Sequence, residues 1–274
     1  MMTHLADLTW EEIAARAAGD PVVVLPAGSI EQHGPHLPVK VDTLLVTAVA
    51  EEAVRRASAR IDVLLAPTVW VGLSTHHTGY FCLTLSFDTY QQVLTELTES
   101  LIRTGFRRIL LLNGHGGNTD PLHLTVTRVR DRHKVLIATA DYWAVASEDL
   151  DRIRESGAGG MGHACEFETS CVMHLESSAV RADRIQAEYP PGIPGWFTID
   201  MTKPGGPVKL GTRFEDITRR GVVGDPTLAT PEKGRRFIEA AAGRLEQLLL
   251  SFATWSIEDG VSQTGVGGPL PPAR

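Results

Sequence analysis

Cysteine is scarce: Cys82, Cys165 and Cys171 are the only three in 274 residues. An odd, small number in a chain long enough to build its own core excludes a disulfide scaffold, and no paired-thiolate spacing points to a structural zinc or an iron–sulfur cluster. Long apolar runs are also lacking. Residues 22–25 and 109–112 are typical, far short of the roughly 18 to 20 that a membrane-spanning helix needs. Positive charge is in deficit, with 26 Lys+Arg against 33 Asp+Glu and a net charge of −7. The expected partner is therefore a small-molecule substrate rather than nucleic acid or an anionic membrane. With no signal-peptide pattern before the first polar stretch, the expected compartment is the reducing cytoplasm.

What is present is globular: 43% hydrophobic and 22% charged residues exclude a disordered chain, a collagen-like repeat and a coiled coil. β-Branched runs at 21–26, 61–71, 107–113 and 134–140 read as buried strands. Helical periods at 43–59, 89–105 and 120–132 alternate with them, and Thr230-Pro231 opens a long helix ending near Phe252. Alternation of this kind predicts an α/β fold, a largely parallel sheet with helices on both faces. A single domain is expected over 1–255. The Gly/Pro-rich stretch 189–226 reads as an irregular excursion near the site, and 256–274 as a poorly packed tail.

In such sheets ligands bind beyond the carboxyl ends of the strands. The first strand runs into Gly28-Ser29-Ile30-Glu31-Gln32-His33, with Asp42 just before the next helix. The third ends in Asn113-Gly114-His115-Gly116-Gly117-Asn118, and a later turn delivers His163, Glu166 and Glu168 to a helix start. Each residue alone has an ordinary explanation: a solvated loop glutamate, a histidine capping a turn, an aspartate capping a helix. Their joint placement predicts an open catalytic site for Zn²⁺, Mn²⁺ or Fe²⁺. The glycines at 114–117 also leave open a non-catalytic nucleotide or small-ligand binder, although they lack the P-loop Lys-Ser/Thr.

The stretch from Leu25 to Pro38 with Asp42, the turn Asn113 to Asn118, and His163 to Ser170 resemble three signatures of the creatininase (creatinine amidohydrolase) family. The resemblance runs from Leu8-Thr9-Trp10 to Gly224–Thr230 and the closing helix. It implies a three-layer α/β/α sandwich, two divalent metal ions per chain and a homo-oligomer, usually a hexamer. Carried over by position, Glu31 and His115 would bind one metal, His33 the other, and Asp42 would bridge them. Creatinine-hydrolysing members place a glutamate two residues after the motif histidine, where this chain has Gly117. Glu166 is the expected replacement ligand, His163 the catalytic histidine, and Glu168 a hydrogen-bonding support.

The implied chemistry is hydrolysis of a non-peptide C–N bond, in a small cyclic amide or formamide, by a hydroxide bridging two metals. Glu166 would shuttle the proton from water and His163 would protonate the leaving nitrogen. An oxidised cyclitol or a modified peptide would use the same centre with different walls. Ser74, His76 and His77 lie in a segment aligned with a family loop that approaches substrate. Gly116 and Trp143 are further expected contacts, Trp143 standing where creatinine-hydrolysing members carry an aromatic lid. The family's Phe-Pro-Gly-Thr is replaced here by Tyr80-Phe81-Cys82-Leu83, which points away from an ordinary substrate. Trp196 is expected at the mouth of the site, and Cys165 as a small buried residue.

Overall fold

The computed structural model describes residues 3–190, 196–197, 199–203 and 208–256. Parts of the 189–226 excursion and residues 257–274 of the expected tail lie outside them. The strands in chain order are β1 (Val22–Ala27), β2 (Ile30–Glu31), β3 (Val63–Leu65), β4 (Cys82–Leu83), β5 (Arg108–Asn113), β6 (Leu136–Asp141), β7 (Met161–His163) and β8 (Val223–Gly224). The helices are α1 (Trp10–Ala17), α2 (Val41–Ala57), α3 (Phe87–Thr104), α4 (Thr119–Arg132), α5 (Tyr142–Val145), α6 (Ser147–Ile153), α7 (Glu166–Leu175), α8 (Phe214–Ile217) and α9 (Pro231–Phe252).

Four strands form a parallel sheet in the order β3-β1-β5-β6. Because side chains alternate along a strand, each central strand feeds two cores. Val22, Val24, Leu110 and Leu112 pack with Val46 of α2, Phe167 of α7 and Phe237 of α9. Val23, Leu25, Ile109 and Leu111 pack with Ala17 of α1, Tyr90 of α3 and Leu122 of α4. Burial of each such aliphatic side chain stabilises the sheet by about 1.5–3 kcal/mol. The predicted three-layer α/β/α arrangement is therefore borne out.

Helix ends follow their local chemistry. Ser86 caps α3 by accepting from Thr89 N–H, and Gly105 closes it in the left-handed region at φ 112°. Thr230 caps α9 with proline in the first turn. Two expectations shift. The strand expected over 61–71 ends at Leu65, because Pro67 has no N–H to give the ladder; pairing resumes only at Val69, which bridges to Ala27. Helix α2 begins at Val41, so Asp42 sits inside its first turn rather than ahead of it.

Candidate active site

Ala27, Asn113 and Asp141 are in register, so β1, β5 and β6 end level. The chain leaves β1 for β3 on one side and returns as β5 on the other, which makes the β1/β5 boundary a topological switch point. The loop after β1 brings Glu31 and His33 there, the first turn of α2 brings Asp42, and the turn after β5 brings His115. Strand β7 and the start of α7 add His163 and Glu168 from across the cleft. All six side chains are buried.

Their polar atoms face one another. His33 Nε2 lies 3.2 Å from Asp42 Oδ1 and 3.6 Å from Glu168 Oε1. His115 Nδ1 lies 3.1 Å from Asp42 Oδ2, and Glu31 Oε2 is 3.3 Å from His115 Nε2. Yet Glu31 Oε2, His33 Nε2 and Asp42 Oδ2 make no hydrogen bond, a costly arrangement for buried polar atoms. Among the described residues four groups bring their ligand atoms within 4.8 Å of one another: Glu31–His33–His163, Glu31–His76–His77, and two triads that share a residue, Glu31–Asp42–His115 and His33–Asp42–Glu168. Asp42 belongs to both. Converging, unsatisfied O and N atoms of this kind fit divalent cations.

The histidines are oriented from behind. His33 Nδ1 donates to Glu31 O at 3.1 Å, and His163 Nε2 donates to Gln32 O at 2.8 Å. His115 Nε2 donates to Leu73 O at 3.1 Å. A carbonyl oxygen can only accept, so the anchored nitrogen carries a proton and the other ring nitrogen is the one that faces the carboxylates.

Charge follows. Burial disfavours a charged His33, but Asp42 and Glu168 override it and hold its pKa well above the usual histidine value. His115 is likewise raised to about 9, burial being outweighed by Glu31 and Asp42. Burial would raise the Glu31 carboxyl, but His115 and His77 hold it well below the carboxylate range. His163 moves the other way: burial, then the neighbouring His33 and His77, depress it well below the usual value. In the metal-free centre, protons occupy positions that a cation would take.

Glu166 differs from its expected role as fifth ligand. Its carboxylate accepts from Lys233 Nζ at 2.7 Å and from Glu155 and Ser156 N–H at 3.0 and 2.8 Å. All its near partners are donors, and it joins none of the donor groups found among the described residues. Two residues further along α7, Glu168 faces His33 instead. Gly117 explains why a glutamate cannot stand there: a Cβ would meet Leu73 O at 2.2 Å and His115 Nε2 at 2.6 Å.

The expected substrate contacts divide. Gly116 is exposed with open space around it. His76 is half-buried and stacks on His115, ring centroids 5.4 Å apart. Ser74 and His77 are buried and turned inward, Ser74 Oγ lying 3.3 Å from His115 Nε2 and His77 Nε2 lying 3.0 Å from Glu31 Oε1. Trp143 packs at the edge of the hydrophobic core with its ring against Tyr142. Trp196 is exposed, and Cys165 is buried with its thiol pKa pushed up by burial. The aromatic over the histidines is Phe214 of α8, at centroid distances of 4.0 Å from His77 and 4.7 Å from His163. Sequence reasoning missed it because a four-residue helix in a Gly/Pro-rich stretch has no period to read.

A switch-point cleft lined by such donors, on a three-layer sheet, defines a metal-dependent hydrolase. The family described as "Creatininase: Creatinine amidohydrolase" matches residues 6–249. The chain belongs to the creatininase family. It is 33% identical over 229 residues to a mycofactocin precursor peptide peptidase of Mycobacterium tuberculosis, covering 80% of this chain and 81% of that protein. It is 29% identical over 256 residues to a creatinine amidohydrolase of Pseudomonas putida, covering 86% and 91%. A solved structure described as "Creatininase Mn" superposes with a TM-score of 0.74 at 24% identity, covering 92% of this chain and 98% of the other.

Proposed function

We propose that this amidohydrolase cleaves a non-peptide C–N bond of a small cyclic amide or formamide, using two divalent ions drawn from Zn²⁺, Mn²⁺ and Fe²⁺. Glu31, Asp42 and His115 would hold one ion, and His33, Asp42 and Glu168 the other. The observation that carries this reading is the pair of donor triads sharing Asp42, each with buried ligand atoms lacking hydrogen bonds. When bound, such a pair of ions activates water and polarises the scissile carbonyl.

The protein's own part is proton handling and enclosure. His163 is kept neutral, with Nε2 committed to Gln32 O and Nδ1 3.8 Å from Glu31 Oε1. It therefore starts as a base: Nδ1 accepts the proton from the attacking water and then returns it to the leaving nitrogen. This takes over the shuttle role expected of Glu166, whose carboxylate is committed to Lys233. Phe214 covers His77 and His163 and excludes water from that side. His76, its pKa lowered to about 4 chiefly by burial, forms a neutral part of the wall.

The test is metal analysis followed by a hydrolysis screen of cyclic amides, formamides, lactones and short peptides on reconstituted enzyme. About two ions per chain, lost on Glu31→Gln or Asp42→Asn, and turnover of a cyclic amide or formamide that His163→Ala abolishes, is the expected result. A protein that binds no divalent ion overturns the reading, and turnover of peptides alone replaces its substrate class.

A further inference from the structure

Three of the buried histidines are anchored through a backbone carbonyl, and His77 is not. Its Nδ1 faces the side-chain amide of Gln32, with Gln32 Nε2 3.0 Å away. That amide has one orientation. Gly34 N–H donates to Gln32 Oε1 at 2.8 Å, and Gln32 Nε2 donates to Gly221 O at 3.1 Å. Both glycines have positive φ, 65° and 71°, so the clamp is built from backbone that a side-chain-bearing residue would strain. A Cβ on Gly221 would also run into Gln32 Oε1 at 2.0 Å.

The proton count then closes. Gln32 Nε2 has two hydrogens. One goes to Gly221 O, which can only accept. The other has two neighbours, His77 Nδ1 at 3.0 Å and His163 Nε2 at 3.1 Å. His163 Nε2 already carries a proton, because it lies 2.8 Å from Gln32 O, another acceptor-only atom. The second amide hydrogen therefore goes to His77 Nδ1. With Nδ1 accepting, the ring proton of His77 sits on Nε2, the atom 3.0 Å from Glu31 Oε1 and within ion-pair distance of it. Among the described residues His77 Nε2 has no other hydrogen-bond partner, which leaves Glu31 as the acceptor it faces.

We propose that Gln32 is a positioning residue that sets the tautomer of His77, making His77 an N–H donor that holds Glu31 in place and not a third-site metal ligand. This rests on the reading of Glu31 as a metal-holding carboxylate. A group containing Glu31, His76 and His77 brings its ligand atoms as close together as those of the two triads; with His77 Nε2 offering a proton where a cation needs a lone pair, that group would not hold a metal. Carbonyl-anchored His33 and His115 turn toward the carboxylates the nitrogen whose proton a cation can displace, and amide-anchored His77 turns toward Glu31 the nitrogen that keeps its proton.

The experiment is ¹⁵N NMR of histidine-labelled, metal-free protein, which distinguishes protonated from unprotonated ring nitrogens. In the native sequence His77 should show protonated Nε2 and unprotonated Nδ1. Gln32→Glu, which can only accept from His77, should put a proton on Nδ1; Gln32→Met should remove the preference and weaken metal affinity or activity by about 10–100-fold. Protonated Nδ1 in the native protein, or an unchanged pattern in Gln32→Glu, overturns the proposal. The native spectrum decides the matter alone if a variant fails to fold. Because it is recorded without metal or substrate, its failure is distinct from a failure of the metal count that tests the hydrolase reading.

Discussion

Two carboxylates one helical step apart do different work at the start of α7. Glu168 shares the cleft with His33 and Asp42, whereas Glu166 neutralises Lys233, itself only 4% exposed. We expect Glu168→Gln to lose one of the two proposed ions, and Glu166→Gln to keep both, as read by metal analysis of purified protein. Glu166→Ala should instead cost up to about 3 kcal/mol of stability in denaturant unfolding, because it leaves a buried ammonium with only the exposed Glu155 carboxylate at 3.5 Å. Loss of an ion from Glu166→Gln would restore the original ligand assignment. The protonation of His115 gives a second expectation. In the metal-free protein its folded pKa, about 9, lies above the unfolded value. The stability it contributes is fully present below about pH 6.5 and is lost as pH rises through about 9. A cation must displace that proton, so metal affinity should climb over the same window and binding near pH 7 should release protons. Calorimetry in buffers of different ionisation enthalpy measures the release; a proton-neutral titration would contradict it.

At the scale of elements, the long periodic segments were legible in the sequence and the short ones were not. Helix α9 follows from Thr230-Pro231 and its apolar repeat, and β1 and β5 from unbroken aliphatic runs. The two- and three-residue strands β2, β4, β7 and β8 pair antiparallel outside the main sheet, and runs so short carry no period. Glu31, His33, Asp42 and His115 stood out because they are ligand types placed at strand ends. The choice between Glu166 and Glu168 was hidden, since it depends on Lys233, 67 residues beyond Glu166 and brought there only by packing of α9 on α7. Gln32 was hidden for a similar reason: its role is set by Gly221, which reaches it only after β8 pairs with β7.

Among the described residues no helix is long and apolar enough to cross a membrane. At the scale of the whole molecule, a cation that binds only the folded protein should raise its stability by about 2.7 kcal/mol at a hundredfold excess over Kd. Thermal unfolding with and without chelator should show that difference, and its absence would argue against ligands drawn from several elements. The homo-oligomer implied by family resemblance is our remaining proposal at this scale; a sizing column with light scattering tests it, and a monomer at micromolar concentration would remove it.

Helix α9 packs on both α2 and α7, the helices that carry Asp42 and Glu168, and supplies Lys233 to the Glu166 carboxylate. Since α9 begins at Pro231, a ribosome must release every strand and then α9 before the cleft can close around its donors. Maturation of the centre is thereby tied to the release of α9. A chain stopped at Thr230 should retain no metal in a chelator wash, however well its eight strands have paired.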